Sequence, residues 1–201
     1  MAAPNVLEHQ WALWEHRTSE KKSMSTAEWS NLQKKVGTFS SVEDFWRHYA
    51  HIPAPSEVFY DGKARKRVGT APNDRIIESF SIFKEGIAPE WEDAANKYGG
   101  EWNLRKSGRQ GSPDDVDEWW ANLVLGLVGE TIDIGDHITG ARVVDKSNGK
   151  GAHPVYRVEL WLRTKDDAVK ETIKKRLIDV MTEGRGAKNL GEQFQWKLHG
   201  V

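Results

Sequence analysis

Three tryptophans, Trp29, Trp91 and Trp161, stand at positions where the sequence predicts exposed indole rings. Tryptophan provides the best aromatic face for stacking on a flat ring or a cation. Trp91 is followed directly by Glu92, whose carboxylate can accept hydrogen bonds from a ligand that the indole holds. This combination indicates recognition by stacking and by edge hydrogen bonds, and it favours a nucleobase as the ligand.

The side chains that enzymes use for nucleophilic or metal chemistry lack the required spacing in this sequence. The chain has no cysteine, and its seven histidines are scattered without the spacing of metal ligands. Glu92 and Asp93 are adjacent in sequence, so their carboxylates are expected to point in different directions rather than form an acid/base pair. We therefore expect binding rather than catalysis, with no catalytic residue, no metal site and no cofactor.

Length and charge limit the class of protein further. A chain of 201 residues fits one domain, and its 29 Lys plus Arg nearly balance its 30 Asp plus Glu. This balance disfavours sequence-independent binding along a nucleic-acid backbone. The sequence has no apolar stretch long enough to cross a bilayer and no signal-peptide pattern at its start. We therefore expect no membrane association and a cytoplasmic location, with the nucleus as a second location.

Hydrophobic periodicity predicts the elements that position these residues. Alternation of apolar and polar residues predicts strands at residues 10–17, 31–39, 76–83, 101–106, 138–145, 155–163 and 193–198. Helical spacing predicts helices at residues 41–51, 112–130 and 166–182, the first capped by Ser40 with Glu43 three residues later. The mixture predicts an α/β domain whose sheet has one solvated face.

A basic segment separates the first predicted helix from the strand that begins at Ile76. Residues 53–74 are rich in proline, glycine and cations, and they include Lys63-Ala-Arg-Lys-Arg67. We expect a flexible solvated loop here, with contact to RNA or to an import receptor as the alternative. A short flexible N-terminus is also expected.

Five sequence strings resemble, in order, the eukaryotic translation initiation factor 4E family, which binds the messenger-RNA cap. They are Trp11-Ala-Leu-Trp14, Val42-Glu-Asp-Phe-Trp46, Phe83-Lys-Glu-Gly-Ile-Ala-Pro-Glu-Trp-Glu-Asp93, Gly99-Gly-Glu-Trp102 and Leu127-Val-Gly-Glu130. The resemblance covers residues 10 to about 181 and implies one α/β (α+β) domain over residues 1–201. It implies a curved antiparallel sheet with three long helices on its convex face and a cap slot on its concave face. By the same resemblance, Trp11, Trp14, Trp102 and Trp120 pack between sheet and helices.

The resemblance implies a base-binding site made of four residues. Trp29 and Trp91 match the two tryptophans that sandwich the methylated guanine. Glu92 matches the glutamate that accepts hydrogen bonds from the N1–H and N2–H₂ edge of guanine. Methylation at N7 gives the base a positive charge, which adds a cation–π attraction to the stacking. Trp161 matches the tryptophan that closes the pocket near the N7 methyl group.

The phosphate site is carried over with one departure from the family pattern. Arg157 stands where the family has a lysine that reaches the phosphate bridge, and Lys146 stands where it has an arginine. Asn148 occupies a position where another cation is expected, and Lys150 is the substitute that the sequence offers.

The resemblance also implies a protein-binding surface on the convex face. The residues predicted to form this surface are Val42, Trp46, Ala121, Asn122 and Leu125. The last three lie opposite the apolar stripe of the second predicted helix. The family uses this face to bind a short helix of the scaffold factor 4G or of competing 4E-binding repressors. Asn122 replaces a glutamate of the family, so a repressor or storage isoform is an alternative to an initiation factor.

The resemblance implies a monomer without enzymatic activity. Two other classes of protein remain as alternatives. An aromatic-cage reader of methyl-lysine would use a similar tryptophan pair, but it would not need Glu92 and the downstream cations. A cap-processing hydrolase would need a cluster of metal-binding glutamates, which the sequence lacks.

Overall fold

The computed structural model of this chain describes residues 3–18, 31–70, 74–107, 113–147, 153–183 and 190–200. Within them, eight strands form one sheet whose neighbouring strands are all antiparallel. They are β1 (Val6–Arg17), β2 (Gln33–Ser41), β3 (Arg67–Val68), β4 (Arg75–Lys84), β5 (Gly100–Ser107), β6 (Ile138–Asp145), β7 (Val155–Leu162) and β8 (Phe194–Leu198). The order across the sheet is β2-β1-β4-β6-β7-β5-β8, with β3 paired to β4.

Five helices belong to the described residues: α1 (Val42–Tyr49), α2 (Pro55–Val58), α3 (Pro113–Val128), α4 (Asp167–Met181) and α5 (Leu190–Gln193). The prediction that Ser40 caps the first helix is wrong, because β2 continues through Ser41. Ser41 is the last extended residue, and its hydroxyl accepts the backbone N–H of Asp44 at 3.2 Å. None of the described helices combines the length and the apolar character needed to cross a bilayer.

The core fills the space between the helices and one face of the sheet. From α3, Trp120, Leu123, Val124 and Leu127 are buried, as the helical stripe predicted. From α4, Ile173, Leu177 and Met181 are fully buried. Burial of each such aliphatic side chain contributes about 1.5–3 kcal/mol to folding. The two helices pack closely at Gly126, where an added Cβ would lie 2.7 Å from a methyl carbon of Val180.

The opposite face of the sheet carries a polar row that is set by strand register. Successive cross-strand partners in this row are Trp14, Ser81, Arg142, Glu159, Asn103 and Gln195. Directly paired residues project from the same face of an antiparallel sheet. Trp14 therefore lies on the face away from the helices, and the expectation that it packs between sheet and helices is wrong. Lys35, its partner on β2, places Nζ 5.0 Å from the centre of the Trp14 ring.

All seven predicted strands are confirmed, with ends that differ by up to four residues. The short elements α2, β3 and α5 were not predicted, because two to four residues are too few to show a hydrophobic period. Two of them lie in the basic segment 53–74, which also contributes the fully buried Phe59 to the core.

Part of the basic cluster is attached to the sheet. Arg65 Nε donates to the buried carboxylate of Asp145 at 2.8 Å, and its terminal nitrogen donates to the Ser147 carbonyl at 2.9 Å. The same carboxylate accepts the backbone N–H of Ser147 at 2.9 Å. Arg65 is therefore a structural cation, and the flexibility expected for the remainder of residues 53–74 stays a prediction.

Candidate functional site

The loop between β4 and β5, residues 85–99, presents Trp91 and Glu92 and is held by its own polar side chains. The Asp93 carboxylate accepts the backbone N–H groups of Ala88 and Ala95, each at 2.9 Å. Asn96 is fully buried, and its amide donates to the carbonyls of Ala88 and Glu90, each at 2.9 Å. These bonds fix the backbone on both sides of Trp91, so the indole is positioned before any ligand arrives.

The far end of this loop is clamped against the sheet. An added Cβ at Gly99 would lie 1.8 Å from the Leu162 carbonyl oxygen, so this position requires glycine. The Gly99 carbonyl accepts the backbone N–H of His199 at 3.1 Å, just after β8 ends. The end of β8 is thereby tied to the loop that carries Trp91.

Trp91 is exposed, as predicted, with 38% of its surface accessible. The His199 ring lies nearly parallel to it, with an interplanar angle of 18° and a centroid distance of 5.9 Å. Lys197 places Nζ 3.8 Å from the centre of the indole. The neighbouring Glu92 is exposed and lies beside this indole in sequence. Trp29, the predicted second stacking residue, lies outside the described residues.

Trp161 is fully buried, so the prediction of an exposed ring is wrong for this residue. It projects from a central strand toward the polar face, where Phe83 meets it edge-on at 5.2 Å and His199 lies 4.4 Å away, centroid to centroid. Trp161 therefore forms the floor beneath His199. A ligand would reach it only after the imidazole moves, and its contact with a ligand stays a prediction.

A buried carboxylate, Glu159, organises this floor. It accepts the Trp161 Nε1–H at 2.9 Å, pairs with Arg157 on its own strand, and lies directly opposite Arg142 on β6. Burial by itself would raise the pKa of Glu159, but the charges of Arg142 and Arg157 and the Trp161 hydrogen bond outweigh it and lower the pKa. Glu159 is therefore ionised at neutral pH.

Neither Glu159 nor Arg142 was predicted from the sequence, although a signal for Glu159 existed. Arg157, Glu159 and Trp161 are two residues apart, so in a strand they share one face. Glu159 stands between two predicted ligand contacts, Arg157 and Trp161, on that face, so its spacing indicated a role in positioning them.

Two cations of the predicted phosphate site, Arg157 and Lys146, belong to the described residues and lie on or next to the paired strands β7 and β6. Arg157, on β7, is 23% exposed at its side chain, and Lys146 directly follows β6 and is exposed. Partial desolvation, together with the nearby charges of Arg157 and Arg142, lowers the pKa of Lys146. The cations repel one another, and a polyanionic ligand would relieve that repulsion. Lys150 lies outside the described residues.

His199 and Glu101 form a second buried polar pair, which was not predicted from the sequence. Imidazole Nε2 is 3.3 Å from a carboxylate oxygen of Glu101, and Nδ1 is 3.0 Å from the Asn96 carbonyl oxygen. Both side chains are fully buried. His199 thus links the loop of Trp91 to the floor formed by Trp161. No spacing in the sequence indicates this link, because it joins residues 96, 101 and 199.

On the face that carries the helices, the predicted partner residues keep apolar surface exposed. Trp46 is 48% exposed, and Val42 and Leu125 are also exposed. Ala121 and Asn122 are partly buried, and the Asn122 amide donates to the Met181 carbonyl at 3.3 Å. Burial, and then the Asp117 carboxylate of α3, raise the pKa of Tyr49 in α1 to about 12.

Among the described residues, no three His, Asp or Glu side chains lie close enough together to hold a metal ion.

A curved open antiparallel sheet, with helices on one face and an exposed tryptophan–glutamate pair at the rim of the other, defines a single-domain α+β binding protein. The chain belongs to the family described as Eukaryotic initiation factor 4E, whose profile matches residues 6–199.

Relatives and solved structures agree with this assignment. The chain is 33% identical to Eukaryotic translation initiation factor 4E1 of Drosophila melanogaster over 195 residues, which are 94% of this chain and 60% of that protein. It is 30% identical to Eukaryotic translation initiation factor 4E of Candida albicans, over 89% of this chain and 74% of that one. The chain thus spans less than two thirds of the length of the fly relative.

Among solved structures, Ascaris suum eIF4E-3 with m7G cap superposes with a TM-score of 0.73 at 27% identity, covering 98% of this chain and 92% of that one. C. elegans eIF4E-3 with the 4E-binding protein Mextli superposes with a TM-score of 0.71 at 27% identity, covering 98% and 95% of the two chains.

One residue of the polar face makes stability depend on pH. Burial, and then the charges of Arg142 and Lys146, lower the pKa of His16 from 6.5 to about 4. The unfolded chain therefore binds more protons than the folded chain between these two values, so stability falls as pH decreases from 6.5 toward 4. Between pH 7.5 and 5 the loss amounts to about 2 kcal/mol.

We predict that His16→Gln removes this part of the pH dependence of unfolding. Urea denaturation at both pH values measures it, with the exposed His153→Gln as the matched control. If His16→Gln lost as much stability on acidification as the unaltered protein, His16 would not be the responsible group.

Proposed function

We propose that this protein binds the N7-methylguanosine cap of messenger RNA and recruits it to translation initiation factors in the cytoplasm, without enzymatic activity. The observation that carries the proposal is an exposed Trp91 beside Glu92 on a loop whose backbone is fixed by Asp93 and Asn96. The Ascaris suum relative of similar structure is solved with m7G cap, which supports the same ligand class here.

The proposed base site uses stacking on Trp91, with Trp29 as the opposite wall. Stacking on an aromatic side chain contributes about 1–3 kcal/mol per base. The positive charge of N7-methylguanine adds about 0.5–2 kcal/mol of cation–π attraction. An unmethylated guanine would lose the second contribution, so the site would discriminate on charge as well as on shape.

Glu92 gives the proposed site its preference for guanine. Its carboxylate is a charged acceptor for the two donors on the guanine edge, N1–H and N2–H₂. Adenine does not offer both donors there, and an acceptor left without its partners costs about 1–3 kcal/mol.

Arg157 and Lys146, with Lys150 as a third candidate, are proposed to bind the phosphate bridge. Arg157 is held by Glu159, so its guanidinium is oriented before binding. The positive potential at Arg157 and Lys146 also favours a cap over methyl-lysine, because a cationic peptide ligand would be repelled.

The convex face is proposed to bind a short amphipathic helix of a scaffold protein of the factor 4G kind or of a 4E-binding repressor. Val42, Trp46 and Leu125 leave apolar surface exposed there, with Ala121 and Asn122 beside them on α3. The C. elegans relative is solved with the 4E-binding protein Mextli, which supports such a partner. The choice between a scaffold and a repressor decides whether the protein promotes or represses translation.

We predict that N7-methylguanosine triphosphate quenches the intrinsic fluorescence with a dissociation constant on the order of micromolar, about 8 kcal/mol. Guanosine triphosphate should bind more weakly because it lacks the cation–π attraction. Glu92→Ala should weaken binding of the methylated nucleotide by about 1–3 kcal/mol. The exposed Glu171→Ala on α4 is the control, and it should change nothing. Equal affinity for both nucleotides, or an unaffected Glu92→Ala, would contradict the proposed base site.

A second prediction concerns Trp46, whose exposure indicates a contact surface rather than core. Trp46→Ala should weaken binding of a synthetic helical peptide carrying a tyrosine and a leucine-hydrophobic pair by about 2 kcal/mol or more. Affinity for the cap nucleotide should not change, because the cap site lies across the sheet. Val36→Ala, which removes a similarly exposed hydrophobic residue from β2, should leave peptide binding intact.

Calorimetric titration of the peptide, together with thermal melting of each variant, distinguishes the two roles of Trp46. A large fall in melting temperature with unaltered peptide affinity would show that Trp46 serves packing and would defeat the interface assignment.

A further inference from the structure

A groove of about 750 Å³ lies on the polar face, beside the proposed cap slot. Its lining includes the cations Arg105, Lys146, Arg157 and Lys197 and the amides Asn103 and Gln195. This volume falls within the range of about 300–1,000 Å³ that is usual for small-ligand sites. Arg105, Asn103 and Gln195 have no role in the cap site described above.

Strand register places these residues on one surface. Asn103 and Gln195 are direct partners across β5 and β8, and the Asn103 amide donates to the Gln195 carbonyl at 3.0 Å. Arg105 and Arg157 are direct partners across β5 and β7. The groove therefore crosses β7, β5 and β8, with the two arginines in one row, the two amides in the next row and Lys197 beyond the amides.

The charge of the groove is unbalanced at its surface. Two acids of the same face, Glu159 and Glu101, are buried and already engaged, with Arg157 and His199 respectively. No acid lines the groove among the described residues. Like charges directly opposite in a sheet are destabilising, yet Arg105 and Arg157 occupy such a pair. This cost is offset when an anion lies between the two guanidinium groups.

The groove is continuous with the stacking position. Lys197 lines it and also places Nζ 3.8 Å from the centre of the Trp91 ring. Lys197 therefore joins the stacking position on Trp91 to the groove that Arg105, Arg157 and Lys146 also line.

We propose that this groove binds the ribose-phosphate chain and bases of the first nucleotides that follow the cap, with Arg105 contacting a phosphate and Asn103 and Gln195 contacting base or ribose edges. The inference rests on the proposed cap-binding function and extends it from the cap to the adjoining RNA. Side-chain amides offer donors and acceptors together, which suits bases and ribose hydroxyl groups. An acidic peptide would use the cations but not the alternation of cations with amides.

The test compares the cap nucleotide alone with capped oligonucleotides of increasing length, up to about five nucleotides, by fluorescence titration at several salt concentrations. The unaltered protein should bind the longer ligands more tightly. Arg105→Gln should lose most of that gain, a loss of roughly fivefold in affinity for the oligonucleotide at about 0.1 M salt. The reason is that one phosphate contact to a single strand contributes about 0.7 to the salt slope, the change in log affinity with log salt concentration. The same variant should reduce the salt slope by about 0.7 for the oligonucleotide and leave it unchanged for the cap nucleotide.

Two variants serve as comparisons. Gln195→Ala should weaken binding of the capped oligonucleotide without altering the salt dependence of that binding, because the substitution removes no charge. Lys175→Gln removes an exposed cation from α4, on the helix side of the sheet, and should affect neither ligand.

The outcomes separate this inference from the proposed function. If added nucleotides do not raise the affinity above that of the cap nucleotide alone, the groove does not bind RNA beyond the cap. The same conclusion follows if Arg105→Gln lowers the affinities for the cap nucleotide and the capped oligonucleotide equally. If the cap nucleotide fails to bind while an uncapped 5′-triphosphate oligonucleotide binds in an Arg105-dependent manner, the cap assignment fails and the groove assignment stands. Competition by a polyglutamate peptide as strong as that by the oligonucleotide would overturn the choice of RNA.

Discussion

The polar face of this sheet depends on one buried charge, the Glu159 carboxylate. It lies in a central strand with Arg142 opposite, Arg157 two residues before it and Trp161 two residues after it. An unpaired carboxylate would cost several kcal/mol in this environment, and either arginine without it would leave an uncompensated cation. The three partners therefore fix one another. Arg157, which is proposed to bind phosphates, and Trp161, the floor of the proposed base site, are held by the same group.

The sheet separates two surfaces with different chemistry. Its helix side buries a continuous apolar core and leaves Trp46 and Leu125 exposed beyond it. Its other side carries paired charges beneath an exposed tryptophan and an open basic groove. Because the strands contribute alternate residues to the two sides, substitutions on one side leave the other side's contacts in place. The proposed cap-binding surface and the proposed partner-binding surface can then be changed independently.

The sequence predicted features that depend on local pattern. The strands, the buried stripe of α3 and the exposure of Trp91 followed from periodicity and from the loop composition around Trp91. Features that depend on distant partners were missed: the His199 link to Glu101 joins the end of the chain to β5, and Trp161 is covered because His199 lies over it. Trp14 was assigned to the wrong face by the resemblance, although strand alternation indicates the right one. Trp11 and Trp14 are three residues apart in a strand that pairs regularly with β4, so their side chains project from opposite faces.

The positioning role of Glu159 is tested most directly by the affinity of a Glu159→Gln variant for N7-methylguanosine triphosphate, measured by calorimetry on protein whose circular dichroism confirms folding. If Glu159 positions Arg157 and Trp161, the substitution should weaken binding by roughly tenfold, the equivalent of one charge-assisted hydrogen bond. If the face acts only through its net charge, removal of a negative group should instead strengthen binding of the anionic nucleotide. Unchanged or tighter binding by Glu159→Gln would contradict this role of Glu159.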